Sequence, residues 1–194
     1  MGIKLFNQTE FSAVFFDTLF GLVLFFNLDS FLDIKDPIHF IFYMFGIVLI
    51  THWWLAFKSS DDAFGEEVNR SVLDLVMGIL YIIAIEYFIL FAKDFQYQTA
   101  LIFLVGLIGL DLIWAAIWKY IGKWKTSDQT KIASMEKELA STIAVDIIAL
   151  ILFLLVFTAS FFLNSAGFLI TFLISYCIYI YLTFKFKIID IKFF

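Results

Sequence analysis

The chain has 194 residues, 63% of them hydrophobic and only 16% charged, with a net charge of −5. Soluble domains run about half apolar and about a quarter charged, so this chain carries more apolar surface than a water-facing fold hides. The acidic balance, with no basic stripe to neutralise phosphates, argues against nucleic acid as a partner. The single cysteine, Cys177, rules out an internal disulfide and any cysteine-based metal site.

The charges fall in short stretches, and the uncharged runs between them have the length of membrane-spanning helices. Six such runs are read in chain order, at 11–28, 38–57, 72–92, 99–118, 142–163 and 168–184. No small-residue cleavage site follows the first, so it is expected to stay in the mature protein. Asp29 to Pro37 separates the first two, with the lone proline placed to start a helix. Lys58 to Arg70 separates the second and third. The longest polar stretch, Lys123 to Ser141, contains a Glu-, Lys-, Ala- and Leu-rich segment that predicts a short surface helix at 132–139. Asn164-Ser165-Ala166-Gly167 predicts a tight turn before the last run, in which Cys177 is expected to pack as an ordinary buried thiol.

Orientation follows from lysine and arginine alone. With the N-terminus inside, the inner side holds Lys4, Lys58, Arg70, Lys119, Lys123, Lys125, Lys131, Lys137, Lys185, Lys187 and Lys192, and the outer side holds only Lys35 and Lys93. The expected fold is therefore one all-α transmembrane domain of six helices with both termini cytoplasmic, and its expected partners are the lipid bilayer and further copies or other subunits of a membrane complex. Its small residues Gly21, Gly46, Gly78, Gly106 and Gly109 are expected to let helices approach closely.

The first and third runs match at an offset of 57, pairing Glu10 with Glu67, Asp17 with Asp74, Gly21 with Gly78 and Asp29 with Glu86. A seven-residue step is close to two helical turns, so Glu10 and Asp17 share a face, as do Glu67 and Asp74. Trp53 and Lys58 match Trp114 and Lys119 at an offset of 61, which suggests diverged helical hairpins; chance similarity is the rival explanation.

A carboxylate at the centre of a bilayer helix costs about 2.5–3.5 kcal/mol on insertion scales, so each one asks for an explanation. By these boundaries Asp17, Asp74 and Asp146 lie within the first two turns of helices that start on the cytoplasmic side. Asp111 and His52 lie about two turns from the cytoplasmic ends of helices running the other way. Glu86 stands apart, in the outer half of the third helix. One reading makes these six an ion pathway, a hydrated cavity for a small cation whose mouth carries Glu10, Asp61, Asp62, Glu66 and Glu67. The other needs no transport. Acids in a first helical turn meet free N–H groups and the positive dipole end, worth about 0.3–1 kcal/mol. Lys58, Arg70 or Lys119 would pair with others. His52 in Thr51-His52-Trp53-Trp54, and Tyr176, Tyr179 and Tyr181, would then be interfacial belt residues, and His39 a surface residue.

No phosphate loop, His-Glu-x-x-His motif or nucleophile elbow is present, and no cofactor is implied. An embedded metal enzyme would need His52 and two or more acids around one ion. A non-transporting subunit of a membrane complex is the other alternative, suited to 27 phenylalanines and short loops.

The run Phe15-Phe16-Asp17-Thr18-Leu19-Phe20-Gly21, ending at Leu28-Asp29, and the later Trp53-Trp54 with Lys58 resemble the first two helices of the endolysosomal-type potassium channel family and its six-helix prokaryotic relatives. Phe16 departs from the serine of that family's Phe-Ser-Asp signature, and no basic residue precedes it. The resemblance covers about a quarter of the chain. It implies an oligomeric cation channel in the cell membrane, with the first helix lining the pore and Asp17 organising it.

Overall fold

The computed structural model describes residues 17–23, 25, 27, 34–64, 72–121 and 126–186, with the side chains at 50, 53, 56–64, 72–75 and 121 outside that description. Every regular element among them is helical. The helices are α1 (helical at 17–23, 25 and 27), α2 (Pro37–Phe64), α3 (Val72–Lys93), α4 (Tyr97–Ile121), α5 (Gln129–Ala159) and α6 (Ser165–Lys185). Four of them, α3 to α6, are long and apolar enough to cross a membrane. The chain is membrane-embedded. In α2 the apolar stretch is Pro37–Leu49. α4 packs most extensively, against α3 and α5; α6 closes on α5, and α2 lies against α3 and more lightly against α6.

The expected surface helix at 132–139 and the expected span at 142–163 are one continuous helix. Residues 129–141 are rich in good helix formers and contain no glycine or proline, so nothing breaks the path into the apolar run. Asp128 caps this helix, its side chain accepting from the Thr130 and Lys131 amides at 2.9 and 3.4 Å. At the other end α5 stops at Ala159, where Ser160 turns its hydroxyl onto the Phe157 carbonyl at 2.6 Å. The predicted turn is thus displaced: Asn164 is the cap of α6, accepting from the Gly167 amide at 2.8 Å, and Ser165 to Gly167 are already helical.

The α3–α4 connection ends α3 with paired bonds from Gln96 N–H to the Phe91 carbonyl and from Phe95 N–H to the Ala92 carbonyl. Phe95 occupies the left-handed position usual for glycine, at φ 54°. Its ring offsets that strain by packing beside His39, Phe42 and Tyr97. His39, expected at the surface, is half-buried there, a ring nitrogen 2.9 Å from the Ala92 carbonyl.

Of the glycines expected to mediate packing, Gly46 does so, since a Cβ there would stand 3.1 Å from the Phe88 ring. Gly21, Gly106 and Gly109 face open space within this chain, which corrects that expectation. Cys177 is exposed on α6, because the helix turns Ser175, Tyr176 and Tyr179 inward instead.

Two predictions follow from these contacts. Gly46→Leu lowers unfolding stability in detergent by about 1–3 kcal/mol through overpacking against Phe88, whereas Gly106→Leu does not. The Asp128 carboxyl is held below its ordinary value of 3.8, first by the Thr130 and Lys131 amide bonds. A depressed folded value means that the cap is intact above the ordinary value and is lost as pH falls through the folded one. Amide exchange at the start of α5 should therefore show extra opening only below about pH 4, and in Asp128→Ala at neutral pH as well.

Candidate functional site: a polar layer across five helices

At 1.5 Å per residue, several polar side chains lie at one depth, about 18–23 Å from the end of the bundle that carries the α3–α4 and α5–α6 turns. They are His52 on α2, Tyr81 on α3, Asp111 on α4, Asp146 on α5 and Tyr179 on α6. That distance is more than half the thickness of a hydrocarbon core, about 30 Å.

The layer is connected from side to side. The Tyr81 hydroxyl donates to the Asp111 carboxylate, and Asp111 lies within electrostatic reach of Asp146. Tyr179 is within the same reach of Tyr81 and meets the His52 ring edge-on, at 5.6 Å between centroids. The Thr183 hydroxyl gives its one proton to the Ile180 carbonyl at 2.8 Å. His52 Nε2, 3.3 Å from that hydroxyl, is therefore the donor between the two. Tyr81 is 8% exposed and His52 6%, while Asp111 is partly exposed.

Asp146 is the least comfortable member. It is 2% exposed and its Oδ2 has no hydrogen-bond partner; among the described residues only the Tyr176 hydroxyl shares that condition. Because α5 begins at Gln129, Asp146 sits almost five turns into the helix, not in its first turns. Helix-dipole capping therefore does not account for it, which overturns the structural explanation that the sequence allowed.

Seven residues from each of four layer members, on the same helical faces and toward the turn end, stand Phe88, Leu104, Phe153 and Phe172, all fully buried. Phe42 joins them, edge-on to Phe88, Phe168 and Phe172. This second layer is wholly apolar and closes the bundle centre between the polar layer and the turns.

The other predicted site residues lie elsewhere. Asp17 accepts from Trp54 Nε1 at 3.1 Å, tying α1 to α2. Glu86 is exposed on α3, with Oε2 3.2 Å from Asn27 Nδ2; that amide also donates to the Val23 carbonyl at 2.8 Å. The Tyr43 hydroxyl donates to the Asn27 carbonyl. The Asp74 side chain, the acidic mouth at Glu10, Asp61, Asp62, Glu66 and Glu67, and the cations Lys58 and Arg70 lie outside the described side chains. Lys119, the remaining proposed partner, sits over the Tyr120 ring at 5.3 Å. The described part of the structure thus joins Asp111, Asp146 and His52, leaves Asp17 and Glu86 apart, and adds Tyr81 and Tyr179. Tyr176 and Tyr179, read as belt residues, face the core; Tyr181 is exposed, with Lys185 over its ring. Tyr81 was detectable in principle, because a tyrosine inside an apolar run needs a partner for its hydroxyl.

Among the described residues no three His, Cys, Asp or Glu side chains stand close enough to hold a metal ion. No protein-family model, curated protein or solved structure matches this chain.

Two substitutions separate the roles. Tyr81→Phe removes the donor to Asp111 and should cost about 1–3 kcal/mol of unfolding stability in detergent. Asp146→Leu removes an oxygen without a partner, so stability should hold or rise by up to about 3 kcal/mol. A clear loss of stability in Asp146→Leu would mean that Oδ2 has a partner after all.

Proposed function

We propose that this protein moves a small cation, K+, Na+ or H+, across the cell membrane by way of the Asp111–Asp146 pair. The observation that carries the reading is Asp146, buried beside a second carboxylate with one oxygen unpartnered. A buried carboxylate that no helix end, lysine or arginine of the described bundle compensates is costly, and such groups in membranes commonly mark ion or proton routes. The accompanying topology is six spans with both termini cytoplasmic, supported by eleven lysines and arginines on one side against two on the other. In that orientation the polar layer lies nearer the cytoplasm, and the phenylalanine layer closes the outer half. The arrangement corresponds to a transporter closed to the outside more than to an open channel.

Glu86 adds a partner to the proposal. An exposed carboxylate on a lipid-depth helix, held by a single amide, is better accommodated against a second copy or another subunit than against lipid. The potassium-channel resemblance keeps K+ among the ions to test, and the Asp17–Trp54 bond supports an organising role for Asp17 at the α1–α2 contact.

A second reading, a non-transporting membrane subunit, is favoured by the solid phenylalanine layer and by the outward apolar face of α5 at Ile147, Ile151, Leu154 and Leu155. Reconstitution in liposomes separates the two. Flux of at least one of the three ions, abolished in Asp111→Asn and Asp146→Asn proteins that still insert, is the expected result. No flux of any of them selects the subunit.

A further inference from the structure

Resting on that reading, we infer that the ion handled at the Asp111–Asp146 pair is the proton and not an alkali metal cation. The argument is one of ligand supply. A stripped Na+ or K+ needs a shell of oxygens, which selectivity filters provide with rings of free carbonyls and transporters with broken helices. Here α2 to α6 pass through the polar layer as uninterrupted helices, so their carbonyls at that depth stay committed to backbone bonds. Among the described residues the oxygens that remain are two carboxylates, the phenols of Tyr81 and Tyr179, and the Thr183 hydroxyl; Tyr81 already gives its proton to Asp111, and Thr183 is committed to the Ile180 carbonyl and His52. Leu107 and Ile108, one turn before Asp111, and Val145 and Ala149 beside Asp146 are buried and apolar. Such a site cannot replace a hydration shell.

A proton asks far less. It needs one lone pair, and Asp146 Oδ2 offers one with no competing donor. The groups facing the pair are Tyr81 from α3 and, one step further, Tyr179 from α6 and His52 from α2; no lysine or arginine of the described residues stands in this layer. Two carboxylates in one layer with no cation of the described residues beside them are then best neutralised by a proton held by one of them. Asp146, with its unpartnered Oδ2, is the member that stores the proton.

The test is infrared difference spectroscopy of the full chain in lipid nanodiscs, following the carbonyl stretch of a protonated carboxylic acid in H2O and D2O while pH, Na+ and K+ are varied separately. The expected result is a pH-dependent band that shifts in D2O, is lost in Asp146→Asn, and is indifferent to saturating Na+ or K+. A band that Na+ or K+ removes at constant pH overturns the proton assignment while leaving the cation reading intact. A protein with neither a titrating band nor a response to either cation overturns both. The cation titration uses the native chain alone, so it decides the matter even if Asp146→Asn does not fold.

Discussion

Inside a bilayer a polar group finds no water, so whatever solvates it must come from the protein itself. The arrangement of this bundle follows from how each such group meets that requirement. Backbone groups meet it by unbroken helices. Side chains meet it by reaching the next helix: Asp17 to Trp54, Asn27 to Glu86, Tyr43 to the Asn27 carbonyl, His52 to Thr183, Tyr81 to Asp111. Every helix of the bundle takes part in at least one of these ties or in the aromatic packing around them. Among the described residues Asp146 Oδ2 and the Tyr176 hydroxyl are where the requirement is not met, and of the two only Asp146 lies beside a second acid.

The two layers divide the labour. Phe42, Phe88, Phe153 and Phe172 fill one level with edge-on and offset rings, which supply dense contact without polar groups to satisfy. Two turns away, the same helical faces carry the acids and their tyrosines. A seven-residue step joins Tyr81 to Phe88 and Asp146 to Phe153, so apolar seal and polar layer are written on single faces of single helices. A change in the apolar layer therefore bears directly on the packing around the acids two turns away.

Much of this was legible in the sequence, and the reasons for the rest are physical. The apolar runs of α3 to α6 declare themselves through length alone. The common depth of Asp111, Asp146 and His52 follows from counting residues along the apolar runs, because helical rise is fixed. Which of them meet depends on helix rotation and neighbour choice, and a single chain of residue types does not encode those openly. Tyr179 and Tyr181, both near the end of the last apolar run, read alike as interfacial residues, yet two residues along a helix is about 200°, enough to bury the first and expose the second. The polarity of residues 129–141 does not mark a helix boundary, because no breaker interrupts α5 there. Asp128 is the cap of α5, and it moves Asp146 from a helix start to a helix middle.

The central claim is that Asp111 and Asp146 face each other within the bundle. It is tested most directly by placing cysteines at both positions in a Cys177→Ala chain and treating native membranes with a short bifunctional thiol reagent. The account predicts an intramolecular cross-link between positions 111 and 146, and none when Ile113, exposed on α4, replaces position 111 as the partner. Absence of the 111–146 link with both thiols shown to react singly would contradict it.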